Sequence, residues 1–136
     1  MRQSVSLWDR FVSVATYFTF GMAGLIWLIA SFLIFKKTVT QFCAYHIYQS
    51  IFIAVILAVL GMFFDIAYSF TSQIPYIGSF IQYAYVYLVR TPIYFTFSLI
   101  HFVIFLFLVY LSFGAVLGKY SYLPFISDVI KSNFRN

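Results

Sequence analysis

Four long stretches of this chain carry no charged side chain: residues 11–35, 38–64, 66–89 and 91–118, which are 25, 27, 24 and 28 residues long. A helix crossing a bilayer needs roughly 20 mostly apolar residues. No other feature restricts the fold as much, because it makes lipid the solvent for most of the protein. Composition agrees: 8% of the 136 residues are charged and 64% are hydrophobic, against about 25% charged in a soluble domain. A soluble domain of this length has too little interior to hide so much apolar side chain.

The net charge of +5 comes from eight Lys and Arg against Asp9, Asp65 and Asp128. The cations flank apolar runs, so they read as a topology signal and an attraction to anionic lipid rather than a nucleic-acid surface. The first apolar run follows Arg2, Asp9 and Arg10 and is far longer than the 7–15 residues or so of a signal-peptide core, so it reads as a retained span. The one cysteine, Cys43, closes no internal disulfide and reads as a small apolar residue near a helix start.

These features predict an all-α fold: a polytopic membrane helix bundle in a single domain, with spans over about 11–35, 42–65 and 92–117 and a tail over 118–136. Pro92 suits a first helical position. The stretch 66–89 contains Pro75 and Gly78, which break a helix near its middle, and irregular backbone is not tolerated facing lipid. It reads as an extension of the second span, a turn near 71–79 and a short aromatic helix along the interface over about 80–89. A fourth span, or a re-entrant pair buried in protein, is the alternative. With three spans, the link (Lys36, Lys37) and tail (Lys119, Lys131, Arg135) carry five cations against three on the other face (Arg2, Arg10, Arg90). The positive-inside rule then places link and tail in the cytoplasm or stroma.

Helical spacing sorts small and polar residues onto stripes. In the second span His46, Ser50, Ala54 and Ala58 follow at i+4, with Gly61 and Asp65 on the same arc. Ser13, Tyr17, Phe20, Gly24 and Ser31 share a face of the first. Tyr94, Ser98, His101, Phe105 and Ser112 share one in the last, which ends in Gly114-x-x-x-Gly118. Such small residues let helix backbones approach closely in lipid, and the stripes read as packing faces. His101 is expected to be a neutral imidazole bonded to a neighbouring hydroxyl. Asp65 and Arg90 read as two separate interfacial charges, or as a pair at one face.

No paired carboxylates lie within a span, and no His-x-x-x-His, Gly-x-Ser-x-Gly or phosphate-cradling glycine loop is present. An enzyme is not expected, nor a cofactor, metal, nucleic acid or small-molecule substrate. The expected partners are the bilayer and other membrane protein subunits.

Two patterns are more distinctive: Phe42-Cys43-Ala44-Tyr45-His46-Ile47-Tyr48-Gln49-Ser50, and Gly118-Lys119-Tyr120 followed by Leu123-Pro124-Phe125-Ile126-Ser127-Asp128. Together they resemble the Tic-twenty-like superfamily, which joins a protein-import channel component of the chloroplast inner envelope to small bacterial membrane proteins of unknown function. Phe42, Tyr45, His46, Gln49 and Ser50 match the first family pattern; Gly118, Lys119, Pro124, Ile126 and Asp128 match the second. Ala44 and Ser127 depart from it, where a basic residue and a glycine are usual. The absence of a long N-terminal extension argues against a nuclear-encoded import precursor. The resemblance implies a bacterial inner membrane or plastid inner envelope, both motifs on the cytoplasmic or stromal side, and a non-enzymatic subunit of a translocation assembly. A small oligomeric channel or transporter, or an assembly factor of another membrane complex, are the other readings. His46 and Gln49 lie one turn apart, and Gln49 or His46 is expected to clasp residues 118–128.

Overall fold

The computed structural model describes residues 5–36, 38–93 and 98–134. Arg2, Lys37, Tyr94 and Arg135, and the residues leading into the last long helix, lie outside them. The described residues are helical and contain no strand. The helices are α1 (Leu7–Phe18), α2 (Met22–Leu33), α3 (Gln41–Thr71), α4 (Ile77–Tyr85), α5 (Leu99–Val116) and α6 (Ile126–Phe134), with α4 running into a π-helical turn at Val86–Arg90. Two of them, α3 with 31 residues and α5 with 18, are long and apolar enough to cross a membrane. The chain divides into two compact units, one of Met1–Val55 with Leu108–Asn136 and one of Ile56–Phe107.

The first unit differs from expectation at its start. Residues 11–35 do not form one helix. Phe20 (φ 51°) and Gly21 (φ 90°) are both left-handed, and two such residues in a row reverse the chain. Thr19 supports the reversal by accepting from the Ala23 amide with its hydroxyl (3.0 Å). The result is a hairpin of two 12-residue helices, each only ~18 Å long at 1.5 Å per residue. Neither reaches across a hydrocarbon core of roughly 30 Å.

Close approach holds this hairpin together. A Cβ on Gly24 of α2 would lie 2.7 Å from Thr16 of α1 and 2.7 Å from Ile47 of α3. One on Gly21 would lie 2.8 Å from Ile51. Val12, Cys43 and Ile47 form the apolar centre, with Trp27, Leu28, Val39 and Ile51 packed against it. Ser6 caps α1, accepting from the Trp8 amide, and Asp9 in the first turn complements the helix dipole.

In the second unit α3 ends at Thr71, and a turn leads into α4. Tyr76 has a positive φ of 65°. Gly78 lies so close to α3 that a Cβ would meet the Thr71 carbonyl oxygen, which explains a glycine two residues into a helix. Tyr85 donates to the Asp65 carboxylate (2.7 Å), and Arg90 lies over the rings of Tyr68 and Tyr85 at 5.9 and 6.0 Å. Asp65 and Arg90 therefore meet through a shared tyrosine, neither isolated nor directly paired. His101 receives the expected hydroxyl partner, with Ser98 Oγ 2.6 Å from Nδ1.

The packing stripe of α3 is realised only at its start. Ser50 is buried and Ala54 partly so, but Ala58 and Gly61 are exposed. Nothing among the described residues lies within 4 Å of a Cβ placed on Gly61. A small-residue stripe marks a face that can be approached; it does not determine that a neighbour approaches it. Gly114 of α5 does serve a close contact: a Cβ there would collide with Ser121 Oγ.

Candidate functional site: a buried polar clasp

Most of the motif residues meet in the first unit, where the first turns of α3 face the segment that follows α5. Phe42, Tyr45, His46 and Gln49 recur at three- and four-residue spacing, so they share one side of α3. His46 and Gln49 are 0% exposed and Tyr45 is 2% exposed. A buried polar group without a hydrogen bond costs about 1–3 kcal/mol, so each partner matters.

Gln49 Nε2 donates to the Ser121 carbonyl (2.9 Å), and the Tyr45 hydroxyl donates to the same oxygen (2.9 Å). Having spent its proton there, Tyr45 accepts from Ser127 Oγ (2.6 Å). Ser127 Oγ in turn accepts from the Leu123 amide (2.7 Å). With its amide nitrogen committed to Ser121, Gln49 turns Oε1 towards Tyr17, which donates to it (2.5 Å). The Tyr17 oxygen also lies 2.6 Å from His46 Nδ1. Tyr17 has one proton, already given to Gln49, so His46 must donate from Nδ1. His46 Nε2 then has no hydrogen-bond partner among the described residues.

Aromatic edges close the site. Tyr120 stacks parallel to the His46 ring (6.3 Å, 6°) and meets Tyr45 (5.0 Å) and Phe42 (5.5 Å) edge to face. Phe42 meets His46 at 4.5 Å.

The second motif has a separate physical basis. Gly118 (φ 66°) ends α5 in the left-handed conformation. Its amide bonds the Ala115 carbonyl, and the Lys119 amide bonds the Gly114 carbonyl (both 3.0 Å), the paired pattern of a Schellman C-cap. Arg10 Nη1 donates to the Val116 carbonyl (3.2 Å), placing a cation at the negative end of the helix. The Arg10 guanidinium lies 3.2 Å from where a Gly118 Cβ would be. Pro124 opens the turn into α6 with its carbonyl accepting from Ile126 (3.0 Å). Lys119, Pro124 and Asp128 are exposed, so they shape the segment without entering the cluster. Ser50 also stays apart, bonding the Ile47 carbonyl in its own helix (2.8 Å).

Sequence reasoning missed three members. Tyr17 stood on a helix-face stripe with no assigned partner. Ser121 contributes a backbone carbonyl, which no side-chain pattern reveals. Ser127, noted only as a departure from the family pattern, is 0% exposed and holds Tyr45.

Asp128 gives the site its accessible pH response. Tyr122 donates to both carboxylate oxygens (3.3 and 3.2 Å). Ionising the phenol would lose these bonds and set two negative charges together, so its pKa is raised. A raised acid pKa favours the folded state below the ordinary phenol value near 10, and that contribution disappears as pH rises through the raised value. Asp128→Asn should move the Tyr122 titration back towards the ordinary value, as followed by NMR of labelled tyrosine. An unchanged titration would refute the pairing.

The arrangement is that of a structural clasp, with a segment after α5 pinned to α3 by hydrogen bonds in a low-dielectric setting. Among the described residues no three His, Cys, Asp or Glu side chains gather as metal ligands. Compared with protein-family models, curated proteins and solved structures, the chain matches none.

Proposed function

We propose that this chain is an integral membrane protein and a non-enzymatic subunit of a larger membrane assembly. The observation that carries this reading is the exposure of its most apolar helices. Only 11% of the most apolar window of α3 and 22% of that of α5 is buried, the reverse of a core helix in a soluble protein. Their outward faces carry Val55, Val59, Met62, Phe63, Leu106 and Phe113, each 51–65% exposed. Lipid is the solvent that suits such a surface.

The topology favoured is two full crossings, by α3 and α5, with the α1–α2 hairpin entering and leaving at one face. Charge supports it. Under this arrangement Arg2, Arg10, Lys36, Lys37, Lys119, Lys131 and Arg135 share a face, and of the eight cations only Arg90 is opposite. The three-span arrangement divides them five to three. The positive-inside rule follows such K/R bias, so the sharper division supports the hairpin topology and a cytoplasmic or stromal position for both termini.

Single cysteines introduced into a Cys43→Ala background test this. In sealed vesicles, Ser6→Cys and Thr38→Cys should react with an impermeant maleimide from the same side, and Gln73→Cys from the other. Ser6 and Thr38 reacting from opposite sides would restore the three-span arrangement.

Protein translocation is the activity implied by the Tic-twenty-like resemblance. Its support is that the two motifs meet in one clasp although Tyr45 and Gln49 lie 76 and 72 positions from the Ser121 carbonyl they share. Purification in mild detergent should recover stoichiometric membrane partners. Recovery of this chain alone, with peptide or ion flux in liposomes, would favour a small oligomeric channel.

A further inference from the structure

We propose that a cavity at the open end of the α1–α2 hairpin binds a quaternary ammonium group. The cavity, about 350 Å³ in volume, is lined by Trp8, Asp9, Trp27, Phe35 and Val39, with hydroxyls from Ser31, Thr38 and Thr40. Its rings are not coplanar: Trp8 and Trp27 meet edge to face at 5.5 Å and 65°, and Trp27 and Phe35 are tilted by 40° at 6.0 Å. Rings held at such angles can offer more than one π-face to the volume they line, the arrangement that attracts a cation.

Asp9 supplies the opposite charge. Among the described residues no side chain donates to its carboxylate, and the neighbouring Arg10 is directed elsewhere, to the Val116 carbonyl. The wall chemistry selects the kind of cation. A primary ammonium has three N–H donors to satisfy and would have to draw on Asp9 and the hydroxyls of Ser31 and Thr38, since that of Thr40 already accepts from the Cys43 amide, and it would leave the three aromatic walls unused. A quaternary ammonium has no N–H and needs only ring faces and a nearby negative charge. The same headgroup chemistry occurs in free choline and in phosphatidylcholine. The plainer account is an aromatic anchor at the interface, with Asp9 serving only the α1 dipole.

The chain has two tryptophans, and both line this cavity, so tryptophan emission, excited selectively over the 12 tyrosines, reports on the site alone. Choline and tetramethylammonium should each produce a saturable fluorescence change in the full chain in maltoside micelles. The neutral isostere 3,3-dimethylbutan-1-ol should bind at least about tenfold more weakly, and Asp9→Asn should weaken choline by about tenfold, roughly 1.4 kcal/mol. Trp27→Leu should abolish the change. If that variant does not fold, as judged by circular dichroism, Phe35→Leu at the exposed wall should still weaken binding. In nanodiscs, loss of the choline response in phosphatidylcholine but not in phosphatidylglycerol identifies a lipid headgroup as the occupant; an equal response in both identifies a free cation. A linear response, equal binding of the neutral isostere, or wild-type affinity in Asp9→Asn would overturn the proposal.

Discussion

Replacing Gln49 by Leu and Tyr45 by Phe together is expected to cost more than the two single changes summed. Both side chains donate to the Ser121 carbonyl, so either alone still satisfies it. Each single change should cost about 1 kcal/mol, the net worth of an ordinary hydrogen bond. The double change leaves a buried carbonyl bare and should cost ~3 kcal/mol or more. An SDS-unfolding double-mutant cycle measures this excess. Trypsin cleavage after Lys119 should accelerate in the double variant while helical content is kept, because the clasp is lost and the helices are not. Additive costs would mean that the carbonyl does not depend on this pair.

The second large effect is expected from Gly24→Leu. A Cβ placed on Gly24 would already lie 2.7 Å from Ile47 and 2.7 Å from Thr16, so there is no room even for a methyl group. Neither neighbour has a free direction to retreat, since Ile47 and Thr16 are themselves 0% exposed. Overpacking typically costs ~1–3 kcal/mol per site, and a whole leucine at the meeting point of three helices should reach or exceed the upper end. The hairpin should separate from α3. Trp27, packed against the Val12–Cys43–Ile47 centre, would then become accessible to a soluble fluorescence quencher. Gly24→Ala should show a smaller form of the same effect. Unchanged quenching in Gly24→Leu would show that the hairpin is held by other contacts.

Both variants act where the chain's own pattern was least informative. The turn before α4 was legible, because Pro75 and Gly78 interrupt an apolar run and their backbone effects are local. The break at Phe20 was not. Phenylalanine has no preference for a left-handed backbone, and Gly21 alone does not distinguish a reversal from a continuous helix in lipid. The reversal holds because Thr19 caps α2 and Gly24 lets α2 approach α1. The Ala58 and Gly61 stripe carries the opposite lesson, since spacing shows which residues could be packed and not whether a partner is there.

The Gln49 clasp lies between these cases. Its side of α3 and the segment it would reach were readable from two motifs. The atom it binds was not, because a backbone carbonyl belongs to every residue and only tertiary placement makes Ser121 the one. What the sequence alone determined is an all-helical fold with helices long and apolar enough to cross a membrane, because apolar length and the position of charges act through sums over neighbouring residues. What only the tertiary structure decided is that the first apolar run folds back on itself and which polar groups are paired inside. Those depend on two left-handed residues, on helix approaches too close for any side chain but that of glycine, and on hydrogen bonds between residues far apart in the chain.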